Sequence, residues 1–367
     1  MFKVLSALVL ACALASFGSL RAEEKGGAMR VYVSGYHQDI TCFEFDSKSG
    51  ELKKLSASVG GKNPSYLAFH PNGKYLYSCN ENNPEGKVTA FSINPADGSL
   101  TKLSEASSAG PGPCHVYVHP SGKWVFSANY TGGTIGVLPI KEDGSVGEPV
   151  QKLAPGAKSH EMMCDASGKH VFAPCLGANI VTQFNFDEKT GQLTPNTPPS
   201  IELPAGAGPR HITFAPGEAN AYITNELDLT VTACAYDNAK GLLTILNTQT
   251  QLPVPKEKGW SSAHVVVTPN GKFVYTSNRG HNSISIFKRD PDKGTLTLTA
   301  NENGGGDVSV PRDFTLDPSG SYMLVANQHT STVTVFRCNA DTGALAKLNT
   351  IPVPNGPSFA GFWPGVK

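Results

Sequence analysis

The chain has no excess of either charge: its 367 residues carry 30 basic and 30 acidic side chains. No basic stripe runs through it, so neither nucleic acid nor an anionic membrane surface is an expected partner. Its eight cysteines include no CxxC pair, which argues against a thiolate zinc site and a dense disulfide framework. The carboxylate cluster that a calcium site needs is also missing, so the reading includes no metal and no cofactor. Helical periodicity is absent beyond the N-terminal segment, and no apolar stretch is long enough to span a bilayer.

What is present begins with that N-terminal segment. Lys3 supplies a short positive start and Val4–Phe17 is apolar. Ser19-Leu20-Arg21-Ala22 then precedes Glu23-Glu24. This is the pattern of a secretory signal cleaved after Ala22, and it implies an exported protein, periplasmic or extracellular. A buried N-terminal strand or helix is the alternative. A box around Cys12 faintly resembles a lipoprotein site, but the apolar stretch runs past it. The expected organisation is a signal peptide over 1–22 and one domain over 23–367. Seven cysteines remain after cleavage, read as small buried hydrophobes on strands, with one disulfide open in an oxidising compartment.

The rest of the chain is a repeat. Six internal copies read NPSYLAFHPNGKYLYSCNE, GPCHVYVHPSGKWVFSANY, KSHEMMCDASGKHVFAPCL, GPRHITFAPGEANAYITNE, SSAHVVVTPNGKFVYTSNR and VPRDFTLDPSGSYMLVANQ. Their turn-entry residues are Pro71, Pro120, Ala166, Pro216, Pro269 and Pro318, spaced by 49, 46, 50, 53 and 49. GPSFAGFWPGVK places Pro364 at the same point, and the chain stops there. The missing part of that unit stands near the start as RVYVSGY. A second marker keeps the register: Gly50, Gly98, Gly144, Gly191, Gly241, Gly294 and Gly343 each precede a short polar strand. Such self-similarity marks a propeller or another repeat array. A repeat cut across both ends argues for a closed ring. The expected fold is all-β, a seven-bladed β-propeller whose last blade is closed by the N-terminal strand.

Hairpin geometry says where chemistry would sit. Residues equidistant from the Pro-x-Gly turn face each other, so the residue six before the Pro is expected opposite the residue ten after it. Both lie at the end of the blade away from the turn. The slot six before holds Ser65, Cys114, His160, Arg210, Ala263, Arg312 and Ser358. The next residue is Tyr66, His115, Glu161, His211, His264, Asp313 or Phe359. The slot ten after holds Glu81, Tyr130, Leu176, Glu226, Arg279 and Gln328, with Tyr36 from the split blade. One residue earlier, Asn80, Asn129, Asn225, Asn278 and Asn327 recur. Repeated asparagine at a strand end caps backbone, which competes with a ligand role. His115, His211 and His264 read equally as structural or functional. Arg210, Glu226, Arg279 and Arg312 do not repeat from blade to blade, so they do not serve the repeat.

The phrases GPRHITFAP…AYITNEL, SNRGHNSISIF, PRDFTLDPSGSYMLVANQ and HVYVHPSGKWVFSANYTGG resemble the seven-bladed lactonase family. That family holds propeller-type 6-phosphogluconolactonases and carboxy-cis,cis-muconate cyclases. The resemblance covers nearly the whole mature chain. It implies a site of one His, two Arg and one Glu, which fall by phrase on His160, Arg210, Glu226 and Arg279. Where family members read DLG and a further Asp, this chain has Cys175-Leu176-Gly177 and Asn179. A carboxylate beside His160 is therefore missing, which bears on a phosphosugar substrate.

Residue chemistry fits lactone hydrolysis. A carboxylate or imidazole can take the proton of an attacking water, and guanidinium groups can clamp an anion and stabilise an oxyanion. Glu226 and His160 are the acid/base candidates, and Arg210 and Arg279 the clamps. His115, His211, His264, Arg312, Asn278 and Gln328 are candidate substrate-binding residues. The expected partner is a small, anionic lactone. A muconate-type cycloisomerase and a non-catalytic anion- or partner-binding propeller are the alternatives.

Overall fold

The computed structural model describes residues 29–367; the expected signal peptide, 1–22, lies outside the described residues. Seven four-stranded antiparallel sheets make up the described residues. Numbered in chain order, blade one comprises Pro64–Phe69, Tyr75–Asn80, Lys87–Ile93 and Leu100–Ser107, from the hub outward. The inner strands of blades two to six are Pro113–Val118, Met163–Cys164, Pro209–Phe214, Ser261–Val267 and Pro311–Leu316. The helical content of the described residues is one 3-10 turn, Gly304–Gly306.

Blade seven is shared between the two ends of the chain. Its inner strand, Pro357–Phe362, pairs with Met29–Gly35 in the register Val31↔Phe362 to Ser34↔Phe359. The N-terminal region supplies more than the single closing strand: Asp39–Phe45 and Leu52–Val59 complete the sheet. Closure thus pairs both edges that an open ring would expose.

Neighbouring blades are clamped through the marker glycines. Gly144 has φ +82°, and a Cβ there would collide with the Tyr75 ring of the preceding blade. Only glycine allows that approach. The Tyr77 hydroxyl donates to the Gly144 carbonyl at 2.9 Å. Tyr32, Tyr222 and Tyr275 do the same to Gly98, Gly294 and Gly343. Each tyrosine buries its ring while spending its one polar group across a blade boundary. The seven described cysteines are free and buried, in keeping with a packing role.

The inner hairpins run one residue out of the expected register from the turn outward, Phe214 facing Ala221, and a β-bulge shifts the far end by one more. In blade four Pro209 pairs with Asn225 and His211 with Thr224, leaving Arg210 between them. The same shift falls at Ser65, Cys114 and Arg312. It also falls between Ser262 and Val265 in blade five and at Ser358 in blade seven. In blade three the regular strand shrinks to two residues, with a separate bridge Ser159↔Cys175 beyond His160. A bulge bends its strand and re-aims the extra side chain. The slot six before the proline is therefore a ring of bulged positions at one end of the hub.

Candidate active site

A cavity of about 250 Å³ opens at that end of the hub. Three of its walls come from the slot six before the proline: Cys114, His160 and Arg312. The others are Glu81, Tyr130, Glu226 and Arg279, where second strands end, and Tyr36 from blade seven. All eight come from the two facing slots read off the repeat. Glu81, Tyr36, Tyr130 and Cys114 are additions to the sequence-based candidates; their place in those two slots is the signal that marks them.

Arg210 lies just behind this wall, 3 % exposed. Glu226 Oε2 is 2.9 Å from Arg210 Nε and 2.9 Å from Arg279 Nη2. The contact to Arg210 is close but unaligned, since among the described residues that Nε has no hydrogen-bond partner, and neither has Arg279 Nε. Arg279 Nη2 also donates to the Ser262 carbonyl at 2.7 Å. Burial pulls the Arg279 guanidinium down to about 10, against the opposing pull of Glu226. One carboxylate thus holds two guanidiniums. Arg312 is different: it forms no ion pair among the described residues, and its guanidinium lies 5.2 Å over the Tyr36 ring. The Tyr36 hydroxyl donates to Glu81 Oε2 at 2.8 Å, so Glu81 sets the ring on which Arg312 rests.

His160 is 3 % exposed and its Nδ1 has no partner among the described residues. Burial, with Arg210, Arg312, Arg279 and His115 nearby, holds it well below the ordinary histidine range. It is a neutral imidazole at neutral pH. The three other hub histidines are stacked beneath the pocket rather than in its wall. His211 is the centre, with ring centroids 5.1 Å from His160, 5.7 Å from His115 and 4.9 Å from His264. Two acids accompany them, Glu161 against His115 and Asp313 against His264. These acids occupy the position after each bulge, which is readable in the repeat although sequence alone gives them no role.

Two candidates fall away from the cavity. Asn278 is fully buried and its Nδ2 donates to Ser285 Oγ at 2.7 Å, within its own blade. Gln328 follows the strand Tyr322–Asn327, and its backbone N–H bonds the Val310 carbonyl, but it is not part of the cavity wall. The family-position differences are also structural here. Cys175 is fully buried. Asn179, at φ +61°, donates to the Leu203 carbonyl and accepts from the Gly208 N–H.

A closed propeller with a guanidinium-rich, acid-bearing pocket at one hub mouth defines a class of small-molecule site. Residues 30–360 match the family described as Lactonase, 7-bladed beta-propeller, and the chain belongs to that family. It is 32% identical over 339 residues to a 6-phosphogluconolactonase of Bacillus subtilis, covering 89% of this chain and 95% of that protein. It is 33% identical to a 6-phosphogluconolactonase of Pectobacterium carotovorum, covering 92% and 96%. Among solved structures, the periplasmic gluconolactonase of Pseudomonas aeruginosa superposes with a TM-score of 0.85 at 27% identity, covering 92% of this chain and all of that one.

Proposed function

We propose that this protein is an exported lactonase that opens a small anionic sugar lactone in the hub pocket. The observation that carries the reading is the charge arrangement. Three guanidiniums, Arg210, Arg279 and Arg312, meet two carboxylates, Glu226 and Glu81, around one small cavity. The surplus is one positive charge, and Arg312 is the group without a carboxylate in contact. A substrate carboxylate or phosphate would take the Arg312 and Arg279 guanidiniums at the cavity wall. The cavity admits roughly one sugar ring. The names of the relatives, 6-phosphogluconolactonase and periplasmic gluconolactonase, agree with this substrate class. The N-terminal signal pattern supports export.

Of the two acid/base candidates, His160 is the better base for the attacking water. It is neutral, forms part of the cavity wall, and its ring nitrogens have no hydrogen-bond partner among the described residues. Glu226 Oε2 is occupied by two guanidiniums, so its role is to orient them. In the reaction the water oxygen bonds the carbonyl carbon while its proton passes to His160. The tetrahedral oxyanion faces guanidinium N–H groups. The ring C–O bond then breaks, and the alkoxide takes a proton to give the hydroxy acid.

The test is pH-stat turnover of purified protein on phosphorylated, carboxylated and neutral lactones, with the product identified. Ring-opened hydroxy acid from an anionic lactone is expected. An isomerised product would mean cycloisomerase chemistry. Tight anion binding with no turnover would mean a binding module.

A further inference from the structure

The cavity wall is divided by charge. Blades four, five and six bring the guanidiniums: Arg210 behind the wall, then Arg279 and Arg312 in it. Blades seven and one, next round the hub, bring Tyr36 and Glu81. His160, on blade three, adjoins the guanidinium side. In a ring of seven, blade one lies across the mouth from blades four and five, so Glu81 faces the guanidinium side.

The two carboxylates of the pocket are held differently. Glu226 Oε2 contacts two guanidiniums. Glu81 forms no ion pair among the described residues, and its Oε2 accepts from the Tyr36 hydroxyl at 2.8 Å. Glu81 Oε1 has no hydrogen-bond partner among the described residues and keeps accessible surface. Its charge is therefore not neutralised by a neighbour.

The backbone around Glu81 is anchored. Its N–H donates to the Asn63 carbonyl at 2.9 Å, and Asn63 Nδ2 donates back to the Glu81 carbonyl at 3.3 Å. Asn63 has φ +50°, a left-handed conformation that asparagine tolerates better than most residues. The Tyr36 N–H donates in turn to the Gly356 carbonyl at 3.0 Å. Two fixed segments thus hold a pair of acceptors, Glu81 Oε1 and the Tyr36 hydroxyl oxygen, whose own proton is already spent.

A carboxylate oxygen can only accept. An anion set against it is repelled, whereas a hydroxyl set against it makes a charge-assisted bond. The carbonyl and any anionic group of a lactone seek donors, which the guanidinium side supplies. Its hydroxyls need acceptors, and one left unmet in a closed site weakens binding.

Resting on the lactonase reading above, we propose that Glu81 reads a substrate hydroxyl and so restricts the pocket to polyhydroxylated lactones. The lactone lies across the mouth, with its carbonyl toward His160 and the guanidiniums and its hydroxyl edge on Glu81 Oε1. The Tyr36 hydroxyl fixes the angle of the carboxylate. The same negative charge disfavours a lactone with a carboxylate on both edges, as in muconate-type substrates. Glu81 makes and breaks no covalent bond; it selects and orients.

The probes are two neutral lactones with the same six-membered ring: glucono-1,5-lactone, which has hydroxyls, and δ-valerolactone, which has none. Each rate is corrected for spontaneous hydrolysis. Neither lactone is charged, so the guanidinium side does not distinguish them. The readout is the ratio of their kcat/KM values with the full chain, and the wild type should prefer the hydroxylated lactone. Glu81→Ala should lower that ratio about ten- to a hundredfold, the range of a hydrogen bond to a charged group. Where Glu81→Ala does not fold, Glu81→Gln gives the same test, since it keeps the shape and the Tyr36 contact but removes the charge. Tyr36→Phe keeps the ring under Arg312 and frees Glu81 to turn, so it should lower the ratio by less. A merely loosened pocket would slow both lactones together and leave the ratio in place. An unchanged ratio in either position's variant, or a wild-type preference for δ-valerolactone, overturns the assignment and leaves the lactonase reading standing. Wild-type turnover of neither lactone, nor of 6-phosphogluconolactone, would sink the lactonase reading and the role of Glu81 with it.

Discussion

Two rings of residues lie one position apart at the end of the second strands, and they do opposite things. The first is a ring of asparagines. Asn225 Nδ2 donates to Thr230 and Thr232 hydroxyls, and Asn327 donates to Thr332 and Thr334 in the same way. Asn129 bonds the Ser108 carbonyl and Thr134, and Asn80 the Gly60 carbonyl. All are buried. The second ring, one residue on, holds Glu81, Tyr130, Glu226 and Arg279, which face the cavity. Strand alternation separates the two. Repetition marks the position that builds the blade, and variation marks the position that meets the ligand.

The sharpest way to break that contrast is to change a cavity residue and find a structural effect, or none. His160→Ala should lower kcat about 10²–10⁴-fold, the range of a general base, with little change in melting temperature. Glu226→Gln should also lower kcat/KM, through misplaced guanidiniums, while His160 keeps its proton-accepting role. A Glu226→Gln enzyme that loses kcat alone, with His160→Ala fully active, would transfer the base to Glu226.

A smaller effect is expected at Arg312. Arg312→Met keeps the apolar stem against Tyr36 and removes the charge. The KM for an anionic lactone should rise by about 1.5–3 kcal/mol, or roughly ten- to a hundredfold. A neutral lactone should be almost unaffected. Equal losses for both substrates would mean that Arg312 shapes the cavity rather than binding an anion.

Asn225→Ala sharpens the comparison from the other side. It deletes an amide that donates to the buried Thr232 hydroxyl and the half-buried Thr230 hydroxyl, so stability should fall by about 1–2 kcal/mol. Activity per folded molecule should stay the same, although Glu226 is the next residue. Urea unfolding and kcat/KM on the same sample separate the two. A kinetic defect without loss of stability would return the asparagines to the site.

Much of this is legible in the sequence because a propeller repeats its own grammar. The turn prolines and marker glycines set the blade count and the closing strand Met29–Gly35. The two facing slots locate every residue of the cavity wall. The bulge is not legible: it depends on how the hub strands converge, and no residue type announces it. Cys114 and Arg312 share the bulged slot with nothing chemical in common. Nor is the stacking of histidines from blades two to five. Tertiary closure alone sets His211 against His115, His160 and His264. Asn278 misleads because it adjoins Arg279 in sequence, while the pleat turns it into the blade.

The smallest expected effect concerns Glu161, one residue past His160 and beneath the cavity. It is fully enclosed, its Oε2 accepts from the Ile212 N–H, and Oε1 is 3.5 Å from His115 Nε2. Burial pushes its carboxyl up to about 8. In the folded protein it is therefore neutral through most of the neutral range, whereas in the unfolded chain it ionises near 4.5. Between those values unfolding releases a proton, so this group makes the protein less stable as pH rises from about 4.5 toward 8. Glu161→Gln is neutral throughout and keeps an acceptor for Ile212. Its melting temperature relative to wild type should climb by a few degrees as pH rises from 5 to 8. The buried histidines impose the opposite slope below about 6.5, because they must stay neutral in the fold and charge on unfolding. That slope is common to both proteins to first order, so the difference between their melting curves isolates Glu161. A difference that is flat across this range would mean that the Glu161 carboxyl is already ionised in the fold, with His115 protonated against it.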